Sequence, residues 1–167
     1  MRDSSSVLFV CLGNICRSPT AHGVFLSKVQ QHGLSEAILV DSAGTATWHI
    51  GSAPDPRSFD TAAARGYDLG DLRARQVEAS DFARFDYILA MDNENLEALQ
   101  AQCPPGFAGH LGLFLEFAPN HELTQVPDPY YKGDEGFVEV LDLVEHASEG
   151  LLSRVCRDFI IVYEYSC

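Results

Sequence analysis

A short apolar segment near the start of the chain runs directly into a polar loop, and the loop leads directly into the start of a helix. Residues 6–10 read SVLFV, a continuous apolar run with β-branched residues that is typical of a strand buried on both faces of a sheet. Ser18 and Pro19 then match the N-cap and the first position of a helix. This order restricts the chain to folds in which a buried strand passes into a helix through a tight loop.

The same alternation of strands and helices continues along the chain. Further strands are predicted at residues 37–42, 86–91 and 110–115, and helices at residues 55–66, from residue 92 or 93, and at residues 134–159. Because parallel strands need helical crossovers, the pattern predicts an α/β fold with a parallel sheet covered by helices on both faces. No repeat or linker divides the sequence, so we expect one domain spanning residues 1–167.

The charge of the chain limits its partners. A formal net charge of −13, from 11 basic and 24 acidic residues, repels nucleic acid and anionic membrane surfaces. No apolar run approaches the ~20 residues needed to cross a bilayer, and the apolar stretch at residues 7–12 is too short for the core of a signal peptide. We therefore predict a cytoplasmic protein that binds neither nucleic acid nor membranes.

The loop at residues 11–18, CLGNICRS, has the composition of a phosphate-binding nest. Gly13 and Asn14 tolerate left-handed backbone angles, so the loop can turn successive N–H groups inward, and the dipole of the following helix adds positive potential. Arg17 can return its guanidinium to the nest and hold two oxygens of a phosphate or another oxyanion. The predicted phosphate-binding residues are Leu12, Gly13, Asn14, Ile15, Cys16, Arg17 and Ser18.

Cys11 lies at the floor of this predicted nest. Amide donors, a helix N-terminus and an arginine favour a thiolate over a thiol, and a thiolate can attack a bound phosphoryl group. Ser18 can donate to the sulfur, and Asn14 is expected to lock the loop. Cys11 and Cys16 lack the spacing of a zinc knuckle, and the chain has no Walker or dinucleotide-binding glycine motif. We therefore predict cysteine chemistry without a metal or a cofactor.

A thiolate that displaces an aryl oxide or alkoxide from phosphorus needs a proton donor for the leaving group. Asp128 is the candidate, because Pro127 and Pro129 flank it and limit the conformations of the loop that presents it. Tyr130 and Tyr131 follow directly and can either pack or stack on a substrate ring. The predicted catalytic residues are Cys11, Arg17 and Asp128.

Two motifs, CLGNICRSP at residues 11–19 and DPYY at residues 128–131, occur together in the chain. In combination they resemble the low-molecular-weight protein tyrosine phosphatases, although C-x5-R alone is shared by unrelated phosphatase families. Trp48 followed by His49 is more similar to bacterial members, because animal members tend to carry Trp-Asn. Segments similar to those of the family also occur at residues 41–45, 54–57, 74–76 and 91–92.

The resemblance implies a single-domain, three-layer fold in which a four-stranded parallel sheet is flanked by helices on both faces. It also implies a two-step reaction without a metal, in which Cys11 forms a cysteinyl-phosphate while Asp128 protonates the leaving tyrosine and then activates water. The expected partner is a phosphotyrosine-containing protein, of which a tyrosine kinase is one candidate. Besides Ile15, the walls of the substrate pocket would be Leu12, Trp48, His49, Tyr130 and Tyr131.

Three points stay open at the level of sequence. Cys16 either forms a reversible disulfide with the nucleophile or packs under the loop. Some members of the family place a histidine where this chain has Leu72, so Asn14 needs other support, for which Ser42 is a candidate. The apolar tail at residues 160–167 finishes the last helix, packs on the domain or mediates self-association.

Three other functions fit parts of the pattern. Arsenate reductases on the same scaffold pass oxidation through two further cysteines, and this chain has none between Cys16 and Cys103. Phosphoarginine phosphatases resemble the family but tend to carry threonine where Ile15 stands, and an apolar side chain there favours an aryl group. A non-catalytic phosphate-binding module needs neither Cys11 nor Asp128. The sequence thus predicts a phosphotyrosine phosphatase, with phosphoarginine phosphatase or arsenate reductase as the alternatives.

Overall fold

The computed structural model describes residues 4–119 and 121–159 of the 167-residue chain. The strands are β1 (Ser5–Cys11), β2 (Ile38–Gly44), β3 (Tyr87–Ala90) and β4 (His110–Leu113). The helices are α1 (Arg17–Gln31), α2 (Pro56–Ala63), α3 (Asp81–Arg84), α4 (Asn93–Gln102) and α5 (Asp134–Phe159), and a 3-10 turn, Phe114–Phe117, follows β4. The apolar tail at residues 160–167 lies outside the described residues.

The four strands form one parallel sheet in the order β2-β1-β3-β4. Every residue of β1 is buried, because helices cover this strand on both faces. Val7 and Phe9 pack with α1 and α5 on one face, whereas Leu8 and Val10 pack with α3 and α4 on the other. The three-layer α/β fold expected from the sequence is therefore confirmed. Within residues 4–119 and 121–159, no helix is long and apolar enough to cross a membrane.

The start of α1 differs from the sequence prediction, which placed Ser18 at the N-cap and Pro19 at the first helical position. The helix begins at Arg17, and Cys16, in the N-cap position, provides no side-chain cap. The Ser18 hydroxyl instead lies 3.0 Å from the sulfur of Cys11, so it serves the loop and not the helix end. Pro19 is tolerated in the first turn because the N–H groups there have no partner within the helix.

The starts of α2 and α4 match the sequence prediction. The Asp55 carboxylate accepts the N–H of Arg57 at 2.9 Å, and the Asp92 carboxylate accepts the N–H of Asn95 at 2.8 Å, so each aspartate caps its helix. The prediction was less accurate at other boundaries, since α2 and β4 end earlier than expected and α3 was not predicted. An element as short as α3 carries too few residues to produce a periodic signal.

Gly150 lies in α5 at the point where this helix meets the Phe114–Phe117 turn. A Cβ atom on Gly150 would lie 1.8 Å from the carbonyl oxygen of Phe117, which is far closer than van der Waals contact. Glycine is therefore needed for the close approach of the turn to α5. This contact explains why the helix retains a residue that costs about 1 kcal/mol relative to alanine.

We expect Gly150→Ala to destabilise the protein even though alanine is the better helix former. The new methyl group must push the turn away from α5, and overpacking of this kind costs about 1–3 kcal/mol. Ser153→Ala, at an exposed position of the same helix, is the matched control and should change stability by less than about 0.5 kcal/mol. Urea unfolding measures both variants, and a Gly150→Ala protein as stable as the wild type would contradict this account.

Candidate active site

The loop at residues 11–18 wraps tightly at the C-terminal edge of the sheet. Two backbone N–H groups just after β2 donate to the carbonyl oxygens of Cys11 and Leu12, at 3.0 and 2.9 Å, and so fasten the first part of the loop. Gly44 permits this approach, because a Cβ atom there would lie 2.8 Å from the Leu12 carbonyl oxygen. Asn14 has a φ of 57°, the left-handed conformation that the loop was expected to need.

The sulfur of Cys11 faces hydrogen-bond donors at the floor of the loop. The backbone N–H of Asn14 donates to the sulfur at 3.3 Å, and Ser18 Oγ lies 3.0 Å from it. Ser18 Oγ accepts a hydrogen bond from Asn14 Nδ2 at 2.7 Å, so its own proton is available for donation. The sulfur is a closer acceptor for that proton than the Ala43 carbonyl oxygen at 3.4 Å. Ser18 is therefore oriented to stabilise negative charge on the sulfur.

Asn14 is supported by the backbone of Arg75 and not by Ser42. Its Oδ1 accepts the N–H of Arg75 at 3.0 Å. The Ser42 hydroxyl pairs with Nδ1 of His22 at 3.0 Å, so the expectation that Ser42 supports Asn14 is wrong. The Arg75 guanidinium is itself held by carboxylates, including that of the fully buried Asp81 at 3.0 Å. The backbone of Arg75 thus provides the support that was expected from Ser42.

Arg17 borders the same cavity as Cys11 and is held in place by two hydrogen bonds. Nη1 donates to Asp92 Oδ2 at 2.6 Å and to the carbonyl oxygen of Val126 at 3.1 Å. Nη2 lies 3.9 Å from Asp128 Oδ2. Burial disfavours the charged guanidinium, but the negative charges of Cys11, Asp92 and Asp128 outweigh this effect and raise the pKa of Arg17. Arg17 is therefore a fixed positive charge beside the cysteine.

Asp92 is a residue of this site that sequence reasoning missed. Oδ1 caps α4, while Oδ2 binds Arg17, whose side chain is only 4% exposed. The helix cap was visible in the sequence, but the contact with Arg17 requires β3 to lie next to β1 in the sheet. The sequence did contain a signal for Asp92, namely a carboxylate directly after a predicted strand. The C-terminal ends of parallel strands meet at the ligand-binding edge of the sheet, so such a carboxylate is a candidate for the site.

Asp128 faces the loop across a cavity of about 200 Å³. Its side chain is 47% exposed, and Oδ1 accepts the N–H of Tyr130 at 3.1 Å. Asn14 and Ser18 are buried behind the loop and support it from there. The cavity brings together the other residues predicted for the site, and its lining consists of Cys11, Leu12, Gly13, Ile15, Cys16, Arg17, Trp48, His49, Asp128, Tyr130 and Tyr131.

Aromatic side chains form the outer rim of the cavity. Trp48 and Tyr131 are 71% and 95% exposed, so they lie at the mouth and not at the floor. His49 contacts the loop itself, since a Cβ atom on Gly13 would lie 2.9 Å from His49 Cδ2. Among residues 4–119 and 121–159, no group of three or more His, Cys, Asp or Glu side chains is arranged to hold a metal ion.

Cys16 is a buried free thiol that packs with Ile15, Ala74 and Phe137. Burial and, to a smaller extent, the negative charge of Asp55 raise the pKa of Cys16 to about 12. Cys16 is therefore a thiol at neutral pH. These contacts are those of a packing residue, which is one of the two roles that the sequence left open.

We expect Cys16 to resist alkylation by iodoacetamide in the folded protein at neutral pH, because alkylation proceeds through a thiolate that this residue scarcely forms. Mass spectrometry of peptides after brief treatment measures the labelling. Protein unfolded in urea is the control, in which Cys16 should label fully. Labelling of Cys16 in the folded protein as rapid as that of the partly exposed Cys103 would contradict the assignment.

We expect Asp92→Asn to destabilise the protein although it retains the helix cap, since asparagine caps helices about as well as aspartate does. The loss arises at Arg17, whose buried charge would lose its partner at a cost of about 3 kcal/mol. Asp92→Ala also removes the cap and should cost about 1 kcal/mol more. Urea unfolding measures both variants. Wild-type stability of Asp92→Asn would show that Arg17 does not depend on this ion pair.

Sequence comparison identifies relatives over almost the full chain. The family model for the low molecular weight phosphotyrosine protein phosphatase matches residues 6–160. The low molecular weight protein-tyrosine-phosphatase YfkJ of Bacillus subtilis is 40% identical over 153 residues, which cover 92% of this chain and 97% of that protein. The residues matched by the family model include the loop at residues 11–18 and the DPYY motif.

Solved structures of phosphatases also resemble this chain over more than 90% of its length. The protein tyrosine phosphatase from Entamoeba histolytica, with Hepes in its active site, has a TM-score of 0.88 and 42% identity, with 92% of this chain and 98% of that chain covered. The Drosophila arginine phosphatase DARP has a TM-score of 0.84 and 33% identity, with 91% and 98% covered. The chain therefore belongs to the low molecular weight phosphotyrosine protein phosphatases, the family that its motifs resemble.

Proposed function

We propose that this chain hydrolyses phosphotyrosine in proteins, with Cys11 as the nucleophile, Arg17 as the phosphate clamp and Asp128 as the general acid. One observation carries the proposal: the three side chains border a single cavity of about 200 Å³, although Asp128 is far from the other two in sequence. Transfer of a phosphoryl group to sulfur requires a nucleophile, a cation that binds the phosphate and a proton donor for the leaving group. The thiol, the guanidinium and the carboxyl group around this phosphate-sized space are suited to these three roles.

In the first step, the Cys11 thiolate attacks phosphorus and the P–S bond forms. The bond from phosphorus to the phenolic oxygen breaks, and the carboxylic acid of Asp128 gives its proton to that oxygen, so tyrosine leaves as a neutral phenol. Arg17 and the N–H groups of the loop hold the phosphate oxygens, on which negative charge is concentrated. The product of this step is a cysteinyl-phosphate.

In the second step, Asp128 acts as a carboxylate and takes a proton from water. The oxygen of that water attacks phosphorus, the P–S bond breaks, and inorganic phosphate is released. Cys11 leaves as a thiolate, and the Ser18 hydroxyl at 3.0 Å and the Asn14 N–H at 3.3 Å stabilise the charge that returns to sulfur. The residues that favour the nucleophile thus also favour its departure.

The walls of the cavity support an aryl phosphate as the substrate. Ile15 contributes an apolar surface beside the loop, and Trp48, Tyr130 and Tyr131 surround the mouth with rings. Phosphoarginine is the second candidate, because the Drosophila arginine phosphatase has a similar fold at 33% identity. The apolar side chain of Ile15 favours phosphotyrosine over the charged guanidino group of phosphoarginine.

The proposal also covers the extent of the domain, its location in the cell and its partners. We propose that residues 1–167 act as one phosphatase domain in the cytoplasm, and that a tyrosine kinase is among the phosphorylated partners. The net charge of −13 and the aromatic rim support a protein partner over nucleic acid or an anionic membrane. The proposed ligand besides the substrate is free phosphate or another oxyanion.

We expect Cys11→Ser to abolish hydrolysis of p-nitrophenyl phosphate in the presence of EDTA, because a serine hydroxyl is not ionised at neutral pH and is a poor leaving group. The variant should still bind inorganic phosphate, which calorimetry measures, since the loop amides and Arg17 remain. Asp128→Asn should slow hydrolysis of phenyl phosphate by about 100-fold.

Full activity of Cys11→Ser would overturn the proposed mechanism, and unchanged activity of Asp128→Asn would overturn the role of the acid. Peptides that carry phosphotyrosine or phosphoarginine distinguish the two substrate classes by kcat/KM. A higher kcat/KM for phosphoarginine would replace the aryl assignment with the second candidate.

A further inference from the structure

The loop that carries Asp128 is held on both sides of this residue. On the N-terminal side, the N–H of Val126 donates to the Met91 carbonyl oxygen at 2.8 Å, and the Val126 carbonyl oxygen accepts from Arg17 at 3.1 Å. On the C-terminal side, the carbonyl oxygen of Tyr130 accepts a hydrogen bond from Arg57 Nη1 at 2.9 Å. We propose that Arg57 is a positioning residue that orients Asp128 for proton transfer through this contact, an inference that rests on the proposed function.

Arg57 is itself held at a fixed orientation. Nε and Nη2 donate to the two carboxylate oxygens of Asp55 at 3.0 and 2.9 Å, which leaves Nη1 directed to Tyr130. The guanidinium also lies over the rings of Phe137 and Tyr130, with centroid distances of 4.5 and 5.2 Å. A planar, forked side chain with contacts on its edge and its face is pre-organised to hold the backbone of a loop.

The partner of Arg57 is also bound to the phosphate loop. The backbone N–H of Asp55 donates to the carbonyl oxygen of Ile15 at 2.8 Å, and the Asp55 side chain is only 9% exposed. The hydrogen bond from Arg57 lowers the pKa of Asp55, so the pair is charged at neutral pH. The Asp55–Arg57 pair therefore links the two loops that carry the nucleophile and the acid.

Control of the Tyr130 backbone has a direct consequence for the acid. Asp128 Oδ1 accepts the N–H of Tyr130 at 3.1 Å, so the direction of the carboxyl group depends on the position of that backbone. The Asp128 side chain is 47% exposed, and it lacks the dense packing that fixes buried side chains. Because a shift of ~1 Å in a catalytic group can cost about 100-fold in rate, the Arg57 contact should matter to proton transfer.

A surface ion pair and a positioning residue predict different kinetics. If Arg57 and Asp55 only formed a surface ion pair, removal of the arginine would have a small effect that is independent of the substrate. If Arg57 orients the general acid, the loss grows with the basicity of the leaving group, because only a basic phenolate needs the proton of Asp128. The dependence of kcat/KM on the leaving group therefore separates the two roles.

The test measures kcat/KM of Arg57→Gln with phenyl phosphate and with p-nitrophenyl phosphate. We expect a decrease of about 10-fold for phenyl phosphate and of less than about 2-fold for p-nitrophenyl phosphate. Arg65→Gln is the matched control, because this arginine also lies in the α2 region but pairs with Asp142 and Glu145 of α5. It should leave both rates unchanged.

A second comparison asks whether Arg57 acts through Asp128. In an Asp128→Asn background, Arg57→Gln should cause no further loss with phenyl phosphate, since the acid that it orients is absent. Arg57→Lys retains the positive charge but not the planar guanidinium group. It should lower kcat/KM by less than Arg57→Gln does, with the same dependence on the leaving group. Binding of inorganic phosphate, which depends on the loop at residues 11–18, should be unchanged in both Arg57 variants.

Two outcomes would overturn the inference and are distinguishable. If Asp128→Asn itself shows no loss that depends on the leaving group, the proposed acid is wrong and the role of Arg57 is wrong with it. If Asp128→Asn shows that loss but Arg57→Gln lowers kcat/KM equally for both substrates, or for neither, only the positioning role of Arg57 is overturned. The proposed function then stands.

Discussion

The phosphate loop depends on Asn14, because this residue joins three parts of the structure. Its left-handed backbone closes the loop so that its own N–H donates to the Cys11 sulfur. Its side chain donates to Ser18 in the first turn of α1 and accepts from the backbone of Arg75 in a distant segment. Asn14 and Ser18 are buried, so a hydrogen bond left unmade there would cost about 1–3 kcal/mol. Hydrogen bonds between buried groups therefore fix the geometry of the loop.

Arg17 shows how an acidic protein provides a site for an anion. Two carboxylates approach its guanidinium, that of Asp92 at 2.6 Å and that of Asp128 at 3.9 Å. The short contact fixes the orientation of the guanidinium, whereas the longer one leaves Nη2 within reach of a phosphate oxygen. A phosphate that enters the cavity therefore meets an arginine that is already ordered, and binding does not have to restrict this side chain. In a chain with a net charge of −13, this buried guanidinium places a positive charge beside the cavity.

The part of the site that could be predicted from the sequence is the part whose signals are local. The strand, the loop and the helix are contiguous, so Cys11 and Arg17 could be assigned without knowledge of the rest of the fold. Asp92 and Arg75 could not, because their contacts depend on which strands are neighbours and on where a connecting segment returns. For Ser18, the predicted contact with the Cys11 sulfur is present, but the predicted helix cap is not, because the helix begins one residue earlier, at Arg17.

The two cysteines of the loop show that backbone position decides what a thiol can do. Cys11 ends β1, and its sulfur meets the N–H of Asn14 and the hydroxyl of Ser18. Cys16 comes at the start of α1, where burial and the nearby charge of Asp55 raise its pKa to about 12. Both sulfurs belong to residues that line one cavity, but at Cys16 burial outweighs the hydrogen bond that Ser58 provides. One loop conformation therefore places two hydrogen-bond donors at the sulfur of Cys11 and buries that of Cys16.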